Sequence, residues 1–222
     1  MPHALITGAS AGLGRALAFE LAKQNWTLTL DARSPEPLGQ VVEELAALTE
    51  VRAVPGDVAD PAHRAALVAS AGEQGPVDLL VNNASDLGGS PLPRLRDLQA
   101  ASYERLWQVN VLAPQQLVQA LLPRLSPGAV IVNISSDAGA ENYEAWGGYG
   151  SSKAALDHQT ATWAVEEPGF TWYSIDPGDM RTEMHQAAYP GEDISDRPEP
   201  ETVAPRVVAL ITSDRPSGRY VA

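Results

Sequence analysis

Two groups of residues in this chain have types and spacing that could do chemistry. Tyr149 and Lys153 lie four apart at the start of a helical pattern, so they share one helix face. A free tyrosine titrates near 10, too high for efficient proton transfer at neutral pH, and an ammonium beside it favours the phenolate and brings that value down. Far upstream, Gly8, Gly12 and Gly14 punctuate the stretch Thr7–Gly14, directly after the apolar run His3–Ile6. Glycine permits backbone angles and close approaches that a side chain would block. A helix starting at Leu13 would aim its first N–H groups and the positive end of its dipole at a pyrophosphate. Strand before, helix after and a second strand about twenty residues on are the setting that a dinucleotide site requires. Alone, a Tyr and a Lys four apart would be surface decoration. Together with the loop they imply a nucleotide-dependent oxidoreductase. The same glycines also read Gly8-x-Ser10-x-Gly12, the spacing of a hydrolase nucleophile elbow. That alternative lacks an upstream segment to supply an oxyanion hole, and only His158 and His185 are loosely suited to complete it.

The elements that must position these groups follow from hydrophobic periodicity. Strands are expected at His3–Thr7, Thr27–Ala32, Val51–Val54, Val77–Val81, Ala129–Ile134, Thr171–Asp176 and Arg219–Ala222. Several are continuously apolar, as strands buried on both faces are. Helices are expected at Leu13–Gln24, Leu38–Leu48, Pro61–Ala71, Tyr103–Leu122, Tyr149–Glu166 and Thr202–Thr212, with Asp60 capping the third and Ser102 the fourth. The alternation means βαβ units with right-handed crossovers, hence a single α/β domain, residues 1–222, of the Rossmann-like doubly wound parallel type with helices on both faces. The one Pro/Gly-rich irregular stretch, Met184–Pro200, reads as an insertion over the ligand edge, and residues 182–200 as a lid.

Composition narrows the partners. With 28 acidic against 15 basic residues and a net charge of −13, the chain lacks the clustered Lys and Arg that phosphate backbones demand, so no nucleic-acid partner is expected. The same balance disfavours an anionic membrane surface. Absence of Cys removes disulfides, thiolate metal sites and Cys nucleophiles, and the four His show no metal-ligand spacing, so no metal is expected. No apolar run reaches the roughly 18 residues of a membrane span, and the N-terminus has no signal-peptide layout. A soluble, cytoplasmic protein is the expectation.

At this point the chain resembles the short-chain dehydrogenase/reductase family almost end to end. The matching pieces are Thr7–Gly14, Asp57-Val58, Asn82-Asn83-Ala84, Asn110, Asn133-Ile134-Ser135-Ser136, Tyr149-Gly150-Ser151-Ser152-Lys153, and Pro177-Gly178 followed by Thr182. The thirteen-residue spacing from Ser136 to Tyr149 is also the family's. The resemblance implies NAD(P)(H) as cofactor and alcohol or carbonyl substrates. It implies Tyr149 as general acid in reduction and base in oxidation, and Lys153 as the holder of the nicotinamide ribose. Ser136 would hydrogen-bond the substrate oxygen, and Asn110 would anchor a water linking Lys153 to solvent. It further assigns Gly8, Ser10, Ala11, Gly12, Leu13 and Gly14 to cofactor binding. Asp57 and Val58 would flank the adenine, and Asn83, Ala84 and Ser85 would line the cofactor. Pro177, Gly178 and Thr182 would close over the carboxamide. Ser85 stands where the family usually has Gly. A non-catalytic NAD(P)-binding redox sensor on the same fold is the alternative; members that lost chemistry usually lost the Tyr or Lys, and both are kept.

The residue ending the second strand reads the ribose: an acid there binds the 2′-hydroxyl of NAD, and a nearby Arg accommodates the 2′-phosphate of NADP. In Leu30-Asp31-Ala32-Arg33-Ser34 that place falls on Ala32, Asp31 points the other way, and Arg33 stands where NADP-preferring relatives are basic. NADP(H) is therefore favoured over NAD(H), although a one-residue strand shift would restore Asp31 and NAD(H). Asp137, Tyr143, Trp146, Met180 and Met184, with Ser85 and Asp86, are the candidates to line a pocket for a small-molecule carbonyl or alcohol. In the family the helices containing Asn110 and Tyr149 pair across a two-fold axis. Trp107, Leu156 and Trp163 are candidates for that contact, and a homodimer is preferred to a homotetramer because the chain stops soon after Tyr220.

Overall fold

The computed structural model describes all residues, 1–222. Seven strands form one wholly parallel sheet: β1 His3–Ile6, β2 Thr27–Ala32, β3 Val51–Pro55, β4 Val77–Asn82, β5 Leu125–Ile134, β6 Thr171–Asp176 and β7 Gly218–Val221, in the order β3-β2-β1-β4-β5-β6-β7. The helices are α1 Gly12–Lys23, α2 Pro35–Leu45, α3 Pro61–Glu73, α4 Ala100–Trp107, α5 Ala113–Leu121, α6 Gly147–Glu166, α7 Glu183–Ala188 and α8 Pro200–Ile211. The Rossmann-like doubly wound expectation is met, with one sheet running from the third residue to the last but one.

Alternation along the strands builds two cores. Ala4 and Ile6 of β1, Leu79 and Val81 of β4 and Val132 of β5 face α1, α2 and α8. Leu5, Leu80 and Ile131, the residues between them, face α3 and α5 with Trp163 of α6 packed alongside. Chain direction across the sheet reverses between β1 and β4, and the loops leaving these two strands part to leave a crevice. A chain of buried amides pins its floor: Asn82 Nδ2 donates to Asn133 Oδ1 (2.8 Å), Asn133 Nδ2 to Thr160 Oγ1 (2.8 Å) and Thr160 to the Leu156 carbonyl (2.7 Å). β4, β5 and α6 are thereby held in register beneath the site.

Several local expectations are corrected. The fourth helix starts at Ala100 with Gln99 before it, so Ser102 lies inside the helix and caps nothing. That helix is also not continuous: Gln108–Leu112 form a turn of π-helix between α4 and α5. Pro114 has no N–H for the carbonyl four residues back, which is Asn110, so the ordinary ladder cannot close there. α2 begins at Pro35, three residues before the first apolar position, because proline suits a helix first turn. The stretch expected to be irregular carries α7, capped by Thr182 Oγ1 accepting from His185 N (3.1 Å). Leu156 is only 2% exposed, and Trp163 stacks on Trp172 with ring centroids 5.4 Å apart. Both side chains pack within the molecule.

Candidate active site

The crevice is a cavity of about 840 Å³. Its lining runs from the loop after β1 (Gly8, Ser10, Ala11, Gly12, Leu13), past Ala32, Arg33, Asp57 and Val58, to Asn83, Ala84, Ser85, Ser136, Tyr149, Lys153, Pro177, Gly178 and Thr182. Residues 174 positions apart in sequence, Gly8 and Thr182, thus face one space, and nearly every residue expected at cofactor or substrate lies on it. Gly14 does not line it; a Cβ there would fall 2.3 Å from the Gly8 carbonyl, so this glycine lets α1 pack against the loop. Tyr143 also lies outside the lining, 47% exposed at the rim.

The phosphate end fits a dinucleotide on three local grounds. Gly8 and Gly12 adopt φ of +67° and +53°, and a Cβ on Gly8 would lie 2.9 Å from the Ala84 Cα. Ala11, which precedes α1, offers no side-chain cap, and no acid stands in the first turn, so the leading N–H groups of α1 are left for an anion. α3, by contrast, is capped by Asp60 as expected. The loop itself is tied to β4, with Thr7 Oγ1 accepting from Asn83 N (3.0 Å) and Asn83 Nδ2 donating to the Thr7 carbonyl (2.9 Å).

At the β2 end, Asp31 is 1% exposed, and its Oδ1 lies 2.5 Å from His63 Nε2. Burial pushes this carboxyl above its usual range, and the hydrogen bond with His63 pulls it back. The strand keeps the expected register; Asp31 lines the cavity too but is held by His63, while Arg33 stands exposed at the cavity wall. Asp57 is engaged by Arg105 of α4, with contacts of 2.7 and 3.0 Å.

At the other end three hydroxyls converge. The Tyr149 phenol sits against the hydroxyls of Ser85 and Ser136, and its ring lies 5.4 Å from Lys153 Nζ. The expected lowering of the phenol by the ammonium is not found. Burial dominates and pushes Tyr149 above its ordinary value, while the two serine hydroxyls pull the other way. Burial likewise pushes Lys153 down to about 8, with Asp157 opposing. Its Nζ donates to the Ile134 carbonyl (2.7 Å).

Asn110, in the π turn, is 1% exposed. Its Nδ2 donates to the Asp86 carbonyl (2.9 Å) and to Ser152 Oγ (3.0 Å), and its Oδ1 accepts from Asp86 N (2.8 Å) and Ser85 Oγ (3.3 Å). These four bonds saturate the amide. What it holds is the Ser85–Asp86 loop against the helix of Tyr149.

Sequence reasoning missed a second layer. Arg219 donates to the Ser136 carbonyl (3.0 Å) and pairs with Asp176 and Asp157, both at 3.1 Å. Only Asp157, four residues after Lys153, carried a local signal. His185 and Asp179, 3.8 Å apart, line the substrate end together with Trp146, Met180, Met184 and Asp137. Trp146 meets the Tyr149 ring edge-on at 5.6 Å and lines the cavity. Ser10 hydrogen-bonds no histidine, leaving nothing to complete a hydrolase triad.

A sheet of this order with a phenol, an ammonium and a serine gathered beside a glycine-loop crevice defines a dinucleotide-binding oxidoreductase fold. The sequence model described as short chain dehydrogenase matches residues 2–193, and the chain belongs to the short-chain dehydrogenase/reductase family. The chain is 35% identical over 189 residues to short-chain dehydrogenase/reductase FrzI of Cladobotryum sp, covering 82% of this chain and 71% of that one. Among solved structures it is similar to an alcohol dehydrogenase from the archaeon Thermococcus sibiricus complexed with 5-hydroxy-NADP. That match has a TM-score of 0.90 and 28% identity, covering 100% of this chain and 96% of the other. It is also similar to a short chain dehydrogenase from Burkholderia cenocepacia J2315 in complex with NADP, with a TM-score of 0.88 and 27% identity over 99% of this chain and 95% of that one. No helix is long and apolar enough to cross a membrane.

Proposed function

We propose that the protein interconverts a carbonyl and an alcohol on a small molecule, with NADP(H) as the preferred cofactor and Tyr149 as general acid/base. The observation that carries this reading is the convergence of Tyr149, Ser136 and Lys153 at one end of a crevice whose other end is the glycine loop. When bound, the nicotinamide supplies or accepts the hydride. The chain's own work is to position and to move one proton. Lys153 and Thr182 would hold the nicotinamide end, Gly8 to Leu13 the pyrophosphate, and Asp57 and Val58 the adenine. Ser136 would hold the substrate oxygen within reach of the phenol.

A tyrosine that keeps its proton at neutral pH is in its acid form, the form that delivers a proton to a carbonyl oxygen during reduction. In the reverse direction the same residue, as phenolate, would take the proton back. The preference for NADP(H) rests on Arg33 at the cavity wall and on Asp31 being committed to His63. Two similar structures hold NADP or a derivative of it. Nothing favours a non-catalytic sensor, since the residues such a protein could discard are assembled.

The test is Tyr149→Phe. Purified variant and parent should bind NADPH alike by fluorescence titration, while aldehyde and ketone reduction by the variant should drop by about a thousandfold or more, in line with loss of a positioned proton donor. A variant that turns over carbonyl compounds at the parental rate removes Tyr149 from the chemistry.

A further inference from the structure

We propose that Asp137 is a specificity-determining residue that selects carbonyl substrates carrying a hydrogen-bond donor, hydroxyl or protonated amine, on the carbon next to the carbonyl. The inference rests on the reductase reading of the site and goes beyond it by naming a substrate class.

Asp137 follows Ser136 directly, is exposed, and lines the substrate end of the cavity. Its Oδ1 accepts from Ser136 Oγ (2.9 Å) and from Ala138 N (2.7 Å), and its Oδ2 accepts from the Tyr143 hydroxyl (3.0 Å). A serine hydroxyl has one hydrogen. Pointed at Asp137, it cannot also point at a carbonyl oxygen. Ser136 Oγ meanwhile accepts from Ala138 N (3.2 Å), which fixes the rotamer. A carboxylate has about four acceptor positions. Ser136, Ala138 and Tyr143 fill three, and the remaining one is on Oδ2.

This arrangement discriminates between substrates. A carbonyl oxygen seated on Tyr149 and Ser136 places the substituent of its neighbouring carbon beside the carboxylate that Ser136 touches. A donor on that carbon satisfies Asp137 and releases the Ser136 hydrogen to the carbonyl oxygen, where negative charge develops. A plain ketone leaves the carboxylate competing for that hydrogen. A substrate carboxylate or phosphate in the same place is repelled by Asp137, which no Lys or Arg pairs, whereas Asp86, Asp176 and Asp179 are matched by Arg105, Arg219 and Arg197.

The experiment is initial-rate reduction of 3-hydroxy-2-butanone and of 2-butanone, which share a carbon skeleton, with NADPH and NADH each supplied at saturation. The parent should prefer the hydroxyketone by about tenfold or more in kcat/KM, the range expected for one hydrogen bond to a charged group. Asp137→Ala should bring the two within about threefold, lowering the hydroxyketone and raising the plain ketone. Asp137→Asn, which keeps shape and one acceptor, should fall between them, and circular dichroism should show both variants folded. A parent with no preference, or a preference that survives Asp137→Ala, overturns the assignment of Asp137 and leaves the reductase reading standing. A parent that reduces neither ketone nor any of a panel of aldehydes with either cofactor removes the reductase reading, and this proposal with it.

Discussion

Lys153 is the residue whose energetics are most opposed to its surroundings. It is 2% exposed, with one backbone carbonyl as its hydrogen-bond partner, and burial pushes it down to about 8. A lysine in the unfolded chain titrates near 10.4. Between about pH 8 and 10 the unfolded chain therefore binds more protons than the folded one, and by linkage this lysine makes stability rise with pH across that window. Below pH 8 the cost of burying the charge is fully present and is worth about 3 kcal/mol. Lys153→Met removes that cost and forfeits one hydrogen bond to the Ile134 carbonyl, worth about 1–2 kcal/mol. The cofactor-free variant should therefore melt a few degrees above the parent at pH 7, with the gap closing towards pH 10, while catalysis is lost. A variant that melts well below the parent at pH 7 would mean that the ammonium is compensated where it lies. Sites that bind charged ligands often carry such a deficit when empty.

At the scale of elements, the π turn at Gln108–Leu112 turns two ordinary helices into a frame for the site. It sets Asn110 where one amide bridges the Ser85–Asp86 loop and Ser152 on α6. Ser152 in turn donates to the Tyr149 carbonyl (2.7 Å), so the loop, the turn and α6 form one hydrogen-bonded unit. Asn110→Ala leaves an Asp86 N–H and carbonyl without their partners in a half-buried place, at a cost of about 2–4 kcal/mol. The variant should lose about 5–10 °C of melting temperature, exchange the Asp86 amide faster by hydrogen–deuterium mass spectrometry, and lose at least tenfold in kcat. Unchanged protection at Asp86 would deny the bridge. Periodicity made both flanking helices visible, but not the turn between them. Its only local mark is Pro114, whose effect falls four residues upstream on a carbonyl, whereas hydrophobic spacing reports side-chain burial alone. The cap at Ser102 failed similarly, because the helix had room for one more turn towards Gln99.

Across the whole molecule, what was legible in the sequence is what is local. The glycine loop, the Tyr149–Lys153 pair and the strand residues that end at Asn82 and Ile134 each declare themselves within a few positions. The partners that complete the site are distant: His63 reaches Asp31 from 32 residues away, Arg105 reaches Asp57 from 48, and Arg219 reaches Ser136 from 83. Only the strand order brings them together. The result is a molecule divided by a large crevice, with an uncapped α1, an exposed Arg33 and a buried ammonium, each of which one anionic dinucleotide would match. Binding to the folded state alone stabilises by about 2.7 kcal/mol at a hundredfold excess over Kd. For a chain of this length, that corresponds to a rise in melting temperature of about 5–10 °C. NADPH should produce that rise in the parent, and NADH at the same concentration a smaller one, because only the former offers a 2′-phosphate to Arg33. Arg33→Ala should then cut the NADPH shift to the size of the NADH shift and leave the latter unchanged. The protein's net charge of −13 opposes any approaching dinucleotide at long range, so the comparison belongs at about 0.15 M salt, where the Debye length is about 8 Å and local contacts dominate. Equal shifts for the two cofactors in the parent, or an Arg33→Ala variant that loses both equally, would remove the 2′-phosphate from the account of this site and return the choice of cofactor to the ribose hydroxyl.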